Sequence, residues 1–250
     1  MGFEGCIWVG NGTSSMSDEI VCLVPISGQD PEFQGEQLPT LGNRDLLSYT
    51  LKAALDAQRI DRVVVSTDSE RIAAACRKQG ADVPFLRPVS LATPATSLVS
   101  VLCHALEWLA EHEDYRPDWV LLMTITYPFR RAGFIDAFLS SVLQSHVNSA
   151  FTAVIERNAH WYSDEDGRPR LVSFGSDIAR AHKPPLYKEM SGLALLTRRE
   201  IVLSGTLYGD ELGIVPVSDA WATINIHDEI GKQLARLLAP HFQSSEDLIR

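Results

Sequence analysis

Residues 21–39 read VCLVPISGQDPEFQGEQLP, an aliphatic run that passes through Pro25 into a loop bearing Gly28 and Gly35. An apolar run of this length, closed by glycine and turn residues, suits a strand covered on both faces. The loop after such a first strand is where open α/β sheets place their ligands. Here the loop carries Asp30, Glu32 and Glu36 and neither lysine nor arginine. It has the shape of an anion-binding loop with inverted charge, and any account of function has to explain that inversion.

Working outward, apolar strands alternate with helical periodicity. The spacing of Leu46, Leu47, Thr50, Leu51, Ala54 and Leu55 predicts a helix over 45–58, and IDRVVVS predicts a second buried strand over 60–66. Helices follow at 69–79, closed by Gly80, and at 96–112, with further strands at 119–123 and 149–155 and a helix between them at 133–144. This order predicts an α/β fold, Rossmann-like, with a mainly parallel sheet and helices on both faces. Past Glu156 the pattern loosens. Residues 164–169 (DEDGRP) read as a solvated hairpin tip, 193–197 and 212–217 as strands, and 228–238 as a closing helix. The expected organisation is a flexible tail over 1–19 and one domain over 20–250, with 156–219 an inserted lobe.

Composition narrows the partners. A formal net charge of -10 over 250 residues disfavours nucleic acid and anionic membranes, and no apolar run is long enough to span a bilayer. The residues before the first strand lack the basic and apolar regions of a signal peptide. Cys6, Cys22, Cys76 and Cys103 show neither CxxC pairing nor metal spacing, as expected of reduced thiols in a cytoplasmic protein. His104 borders an apolar helix stripe and reads as a boundary residue. His160, beside Trp161 and Tyr162, suits either a sugar pocket or an interface.

Motif order then carries a resemblance. The segments LGNRDLLSYTLKAAL (41–55), VVVSTDSERIAAACRKQGADVPFLRP (63–88), LLMTITYPFR (121–130), PPLYKEMSGLALLTRRE (184–200) and TINIHDE (223–229) resemble, in series, the acylneuraminate cytidylyltransferase family. The resemblance implies a nucleotide-diphospho-sugar transferase type of fold, with 156–219 as a dimerisation and sugar-side extension. It implies CTP and an acidic sugar as substrates, CMP-sugar and pyrophosphate as products, a homodimer, and magnesium held by carboxylates.

Against the family pattern, this chain departs where charge matters most. Ser27 stands at the arginine of the strand-one loop, Pro31 and Glu36 at its two lysines, and Gln37 at an asparagine. The two metal-binding aspartates become Asn225 and His227. Asn225 offers only a neutral oxygen, and an imidazole suits manganese or zinc better than magnesium. Thr124–Pro128 replaces a glutamine-bearing core, and Ser191-Gly192 replaces an asparagine-glycine pair. Asp68, Arg87, Ser97 and Arg130 remain at family positions.

The candidate nucleotide side is therefore Ser27, Gly28, Gln29, Arg87 and Ser97, the candidate sugar side Thr124, Arg130 and Ser191, and the weakened metal pair Asn225 and His227. Each retained residue also has a purely structural reading: Asp68 or Ser97 as a helix cap, Arg130 as a partner of Asp136. Two functions stay open. One is a divergent transferase in which His227, Asn225 and loop backbone N–H groups substitute for the usual groups. The other is an inactive relative kept as a nucleotide-sugar binder, regulator or partner subunit.

Overall fold

The computed structural model describes residues 18–35, 37–172, 178–179 and 182–247; the side chains of Glu32 and of 245–247 are excepted. The opening run is strand β1 (Ile20–Ile26), followed by the short β2 (Thr40–Leu41) and β3 (Arg44–Asp45) and by helix α1 (Leu46–Leu55). Next come β4 (Arg62–Thr67), α2 (Glu70–Lys78), α3 (Leu98–Glu113), β5 (Trp119–Leu122), α4 (Phe134–Leu143) and β6 (Ser149–Glu156). The remainder comprises β7 (Trp161–Ser163), β8 (Pro169–Leu171), β9 (Leu186–Glu189), β10 (Leu195–Arg198), α5 (Arg199–Leu203), β11 (Leu212–Pro216) and α6 (Glu229–Asp247).

The main sheet has seven strands in the order β11-β6-β10-β5-β1-β4, with β9 also paired to β6. β1 pairs in parallel with β4 and β5, and β6 with β11, while β10 runs antiparallel between β5 and β6. Reversing twice through β10 returns β6 to the direction of β5, so the sheet is mixed but mostly parallel. Reversal of 195–198 is the feature that βα alternation could not foresee.

β1 shows why its sequence is apolar throughout. Ile20, Cys22, Val24 and Ile26 enter the core layer shared with α1, α2, α4 and α6, whereas Val21 and Leu23 enter the opposite layer shared with α3 and α5. Both faces are covered, so period-two alternation of polarity is lost. At its amino end the Asp61 carboxylate accepts from the Ile20 N–H (2.7 Å) and Asp118 from the Glu19 N–H (2.8 Å). Trp119 donates its indole N–H to Asp18 (2.8 Å), so Asp18 and Glu19 belong to the fold and not to a tail. Cys6 and the rest of 1–17 lie outside the described residues.

Local chemistry sets the helix ends. The Ser69 hydroxyl accepts from the Ile72 N–H (3.5 Å) to cap α2, and Ser97 accepts from Ser100 (3.1 Å) to cap α3. The chain leaves α2 through Gly80 at φ +94°, a conformation glycine adopts without strain. Helix α6 runs nine residues past the expected end at Leu238 and contains Pro240. The extension follows from Phe242, which is buried among Trp221, Phe129 and Tyr49.

Past β6 the chain forms the hairpin β7–β8. Its tip is the turn expected at 164–169. Asp164 accepts from the Asp166 (3.1 Å) and Arg168 (2.8 Å) N–H groups and pairs with Arg170 at 2.7 Å.

Candidate functional site

A cleft of about 650 Å³ opens beyond the carboxyl ends of β1 and β5. Its lining includes Ser27 and Gln29 from the loop after β1, Arg87 from the segment after β4, Thr124 and Thr126 after β5, and His227 ahead of α6. Aliphatic walls come from Ile26, Leu91, Ala92, Leu98 and Val101. An apolar cleft with a few polar groups at the carboxyl edge of an α/β sheet is the usual form of a small-molecule site.

The β1 loop is a folded turn locked from behind. Asp68, at the end of β4, accepts from the Gly28 N–H at 2.7 Å. The Gln29 N–H is taken by Ser27 Oγ (3.2 Å), and the Asp30 N–H by the Ser27 carbonyl (3.2 Å). The Gly28, Gln29 and Asp30 N–H groups thus have protein acceptors, and in this conformation these three do not point out to cradle a phosphate. Phe33, buried at 1% exposure, plugs the loop into the core, and Arg71 donates to its carbonyl. Glu36 lies outside the described residues.

Asp68 therefore does not cap α2; Ser69 does. Asp68 instead faces Arg87, whose Nη2 lies 3.6 Å from its Oδ1, both side chains being almost fully buried. Arg87 also donates to the Ser66 (3.1 Å) and Ile26 (3.3 Å) carbonyls, tying β4 to β1, while its buried Nε–H has no partner. Burial pushes the Arg87 guanidinium below its ordinary value and the Asp68 carboxylate opposes that shift.

Arg130 does not pair with Asp136, which accepts instead from the Gln58 (2.8 Å) and Arg59 (3.2 Å) N–H groups. Arg130 is 2% exposed and donates to the carbonyls of Leu193 (2.9 Å), Thr124 (2.8 Å), Gly192 (2.8 Å) and Tyr127 and to Thr50 Oγ1 (3.0 Å). Those bonds use the whole donor set of a guanidinium. Desolvation pushes it down to about 9, against the opposing influence of Cys22 and Tyr127. Its effect is to weld the Ser191-Gly192 turn to the end of β5, where the Thr124 N–H also donates to the Gly192 carbonyl (2.8 Å). A Cβ on Gly192 would lie 2.5 Å from Thr124 Oγ1, so only glycine permits this approach.

The structure thus gathers Ser27, Gln29, Arg87, Thr124 and His227 around one cleft, with Gly28 just behind it. Arg130 borders a separate cavity of about 240 Å³ between α1 and α4. Ser97 faces a shallow depression with Cys103 and His104. His104 packs edge-on against Phe85, with burial pushing its pKa down. His160 bonds Glu156 at 2.7 Å beside an exposed Trp161 and Tyr162, and none of the three lines the cleft.

Sequence reasoning missed Lys232, a cation of α6 that lines the cleft. Its signal was present in TINIHDEIGK, a basic residue one turn past the altered metal motif.

Magnesium requires several oxygen ligands in near-octahedral array. Asn225 Oδ1 accepts from the His227 N–H at 2.6 Å, and Asp68 is engaged by Gly28 and Arg87. Among the described residues no group of three or more His, Cys, Asp and Glu could hold a metal ion. The residues present do not fit a magnesium site, and a single imidazole does not make one for manganese or zinc.

Residues 33–157 match the model of the Cytidylyltransferase family, half of the chain. The chain belongs to the cytidylyltransferase family. Within it, the chain is a divergent member of the acylneuraminate group that its motifs resemble. It is 25% identical over 194 residues to the CMP-N,N'-diacetyllegionaminic acid synthase of Legionella pneumophila, covering 76% of this chain and 83% of that protein. It is 32% identical over 115 residues to the N-acylneuraminate cytidylyltransferase of Escherichia coli, covering 46% of this chain and 26% of that protein. In fold it is similar to 4-diphosphocytidyl-2C-methyl-D-erythritol synthase from Anaerococcus prevotii, with TM-score 0.64 at 13% identity over 89% of this chain and 99% of that one. Among the described residues no helix is long and apolar enough to cross a membrane.

Proposed function

We propose that this cytidylyltransferase binds a cytidine nucleotide in the cleft beyond β1 and β5 and transfers CMP to a hydroxyl of an acidic sugar of the kind named for its relatives. The sugar oxygen attacks the α-phosphorus of CTP, the bond to the bridging oxygen breaks, pyrophosphate leaves with the electron pair, and the hydroxyl proton is released. The observation that carries this reading is the position of the cleft. It sits at the carboxyl edge of the parallel strands, and its walls come largely from the 33–157 segment that matches the family. Ser27, Gln29 and Arg87 stand on the nucleotide side, with Gly28 as the hinge of the loop. Thr124 and the adjoining Ser191-Gly192 turn stand on the sugar side. We read the chain as a cytoplasmic homodimer in which, of the 156–219 segment expected as an inserted lobe, β9, β10 and β11 are strands of the main sheet and the β7–β8 hairpin stands apart from it.

A second reading, a nucleotide-sugar binder or partner subunit without turnover, is favoured by a specific observation. The Gly28, Gln29 and Asp30 N–H groups and Asn225 Oδ1 are already engaged within the protein. One assay separates the two: pyrophosphate release from CTP with N-acetylneuraminate or a legionaminic acid. The transferase reading expects release that depends on the acid. Nucleotide binding without release supports the second reading, and absence of cytidine-nucleotide binding defeats both.

A further inference from the structure

We infer that Asp68 acts as an internal anion that holds down the phosphate affinity of the cleft, so that the site recognises the nucleoside of its cytidine ligand more than the phosphate. The inference rests on reading the cleft as a nucleotide site. Three features of the loop and its surroundings carry it.

The first is what Asp68 binds. Its Oδ1 accepts from the Gly28 N–H at 2.7 Å and lies 3.6 Å from Arg87 Nη2. A loop N–H and a guanidinium are the two kinds of donor with which proteins commonly hold a phosphate oxygen. A carboxylate of the chain itself therefore stands where donors of that kind converge. The second is how firmly it is held. The Asp68 and Arg87 side chains are 5% and 3% exposed. A Cβ on Gly28 would lie 2.8 Å from Ser69 Cβ, so glycine is what lets the loop settle onto the end of β4.

The third is the balance of charge. Among the described residues, the charged side chains lining the cleft are Arg87, Lys232 and Asp30, beside the His227 imidazole. Asp68, just behind the lining, brings cations and carboxylates into balance. Arg87 differs from the saturated Arg130: it donates to the Ser66 and Ile26 carbonyls, but its buried Nε–H has no partner. It keeps a capacity for an anion that Asp68 offsets. Replacing the carboxylate by its isosteric amide keeps an acceptor for the Gly28 N–H and leaves the guanidinium charge uncompensated at the cleft wall. One unit of charge acting over several ångströms of partly buried protein is worth about tenfold or more in affinity. The wall of Leu91, Ala92, Leu98 and Val101 is apolar and suits contact with a nucleoside that does not depend on charge.

The test is isothermal titration of the full chain with cytidine and with CMP, for the wild type and Asp68→Asn, the variant first checked by thermal melting. The wild type is expected to prefer CMP over cytidine by less than about tenfold. Asp68→Asn is expected to tighten CMP about tenfold and leave cytidine unchanged, with the gain shrinking as salt rises. A purely structural role for Asp68 would move both ligands together. A wild-type preference for CMP above about tenfold, or a ratio of the two affinities unchanged in a folded Asp68→Asn, overturns the inference while the nucleotide reading stands. The wild-type ratio decides the matter even if the variant does not fold. Absence of binding by both ligands overturns the inference and the nucleotide reading together.

Discussion

Asp68 accepts the Gly28 N–H and faces the buried Arg87 guanidinium, so its removal strands a donor and a charge at once. Asp68→Ala is expected to cost about 2–4 kcal/mol of unfolding free energy. Asp68→Asn, which keeps an acceptor but not the charge, is expected to cost less; urea denaturation reads both, and an alanine variant as stable as wild type contradicts the account. Sequence reading left Asp68 open between helix cap and site residue because its partner Gly28 is 40 residues away. A neighbouring serine that caps equally well hid the distinction. Arg130 was similarly opaque: an arginine after a strand reads as a ligand donor, and only the fold shows its N–H groups taken by the turn it holds.

The helices of 20–156 were legible by their periodic apolar faces and strands β1, β4, β5 and β6 by apolar runs, whereas the two-residue β2 and β3 carry no such signal. The reversal of β10 was not legible, since its direction is fixed by long-range pairing with β5 and β6 and not by local pattern. Helix α6 was read short because Pro240 and polar residues obscure its stripe. In the fold, Phe242 anchors it at 1% exposure. Phe242→Ala is expected to lose about 3–5 kcal/mol by opening a cavity among Trp221, Phe129 and Tyr49. A loss under about 1 kcal/mol in chemical denaturation would contradict that role.

The β7–β8 hairpin gives a pH signature at the same scale. The Arg170 side-chain bond, with the Arg168 and Asp166 N–H groups, holds the Asp164 carboxyl below its ordinary value. A depressed carboxyl contributes stability that is present above the ordinary aspartate range and lost as pH falls through the folded value. Carboxyl NMR titration should show Asp164 titrating below the ordinary aspartate value, and Arg170→Ala should move it upward. An unchanged midpoint in that variant would sink the assignment.

Across the whole molecule, charge and assembly separate from fold. The net charge of -10 and the acidic loop suggest a cleft hostile to phosphate, yet the cleft itself is lined by Arg87 and Lys232 against Asp30. Global composition could not show where α6 delivers its lysine. The hairpin exposes Trp161 at 61% and Tyr162 at 56%, a surface consistent with the proposed homodimer. Sedimentation at micromolar concentration should give a dimer, shifted toward monomer by Trp161→Ser with Tyr162→Ser. A wild-type monomer would remove the assembly proposal without touching the cleft.

The cleft is the central claim, and a crystal of the full chain soaked with CMP tests it most directly. The account predicts nucleotide density between the Ser27–Asp30 turn, Arg87 and the Thr124–Thr126 segment. Density for CMP at any other place, with this cleft empty, would contradict it.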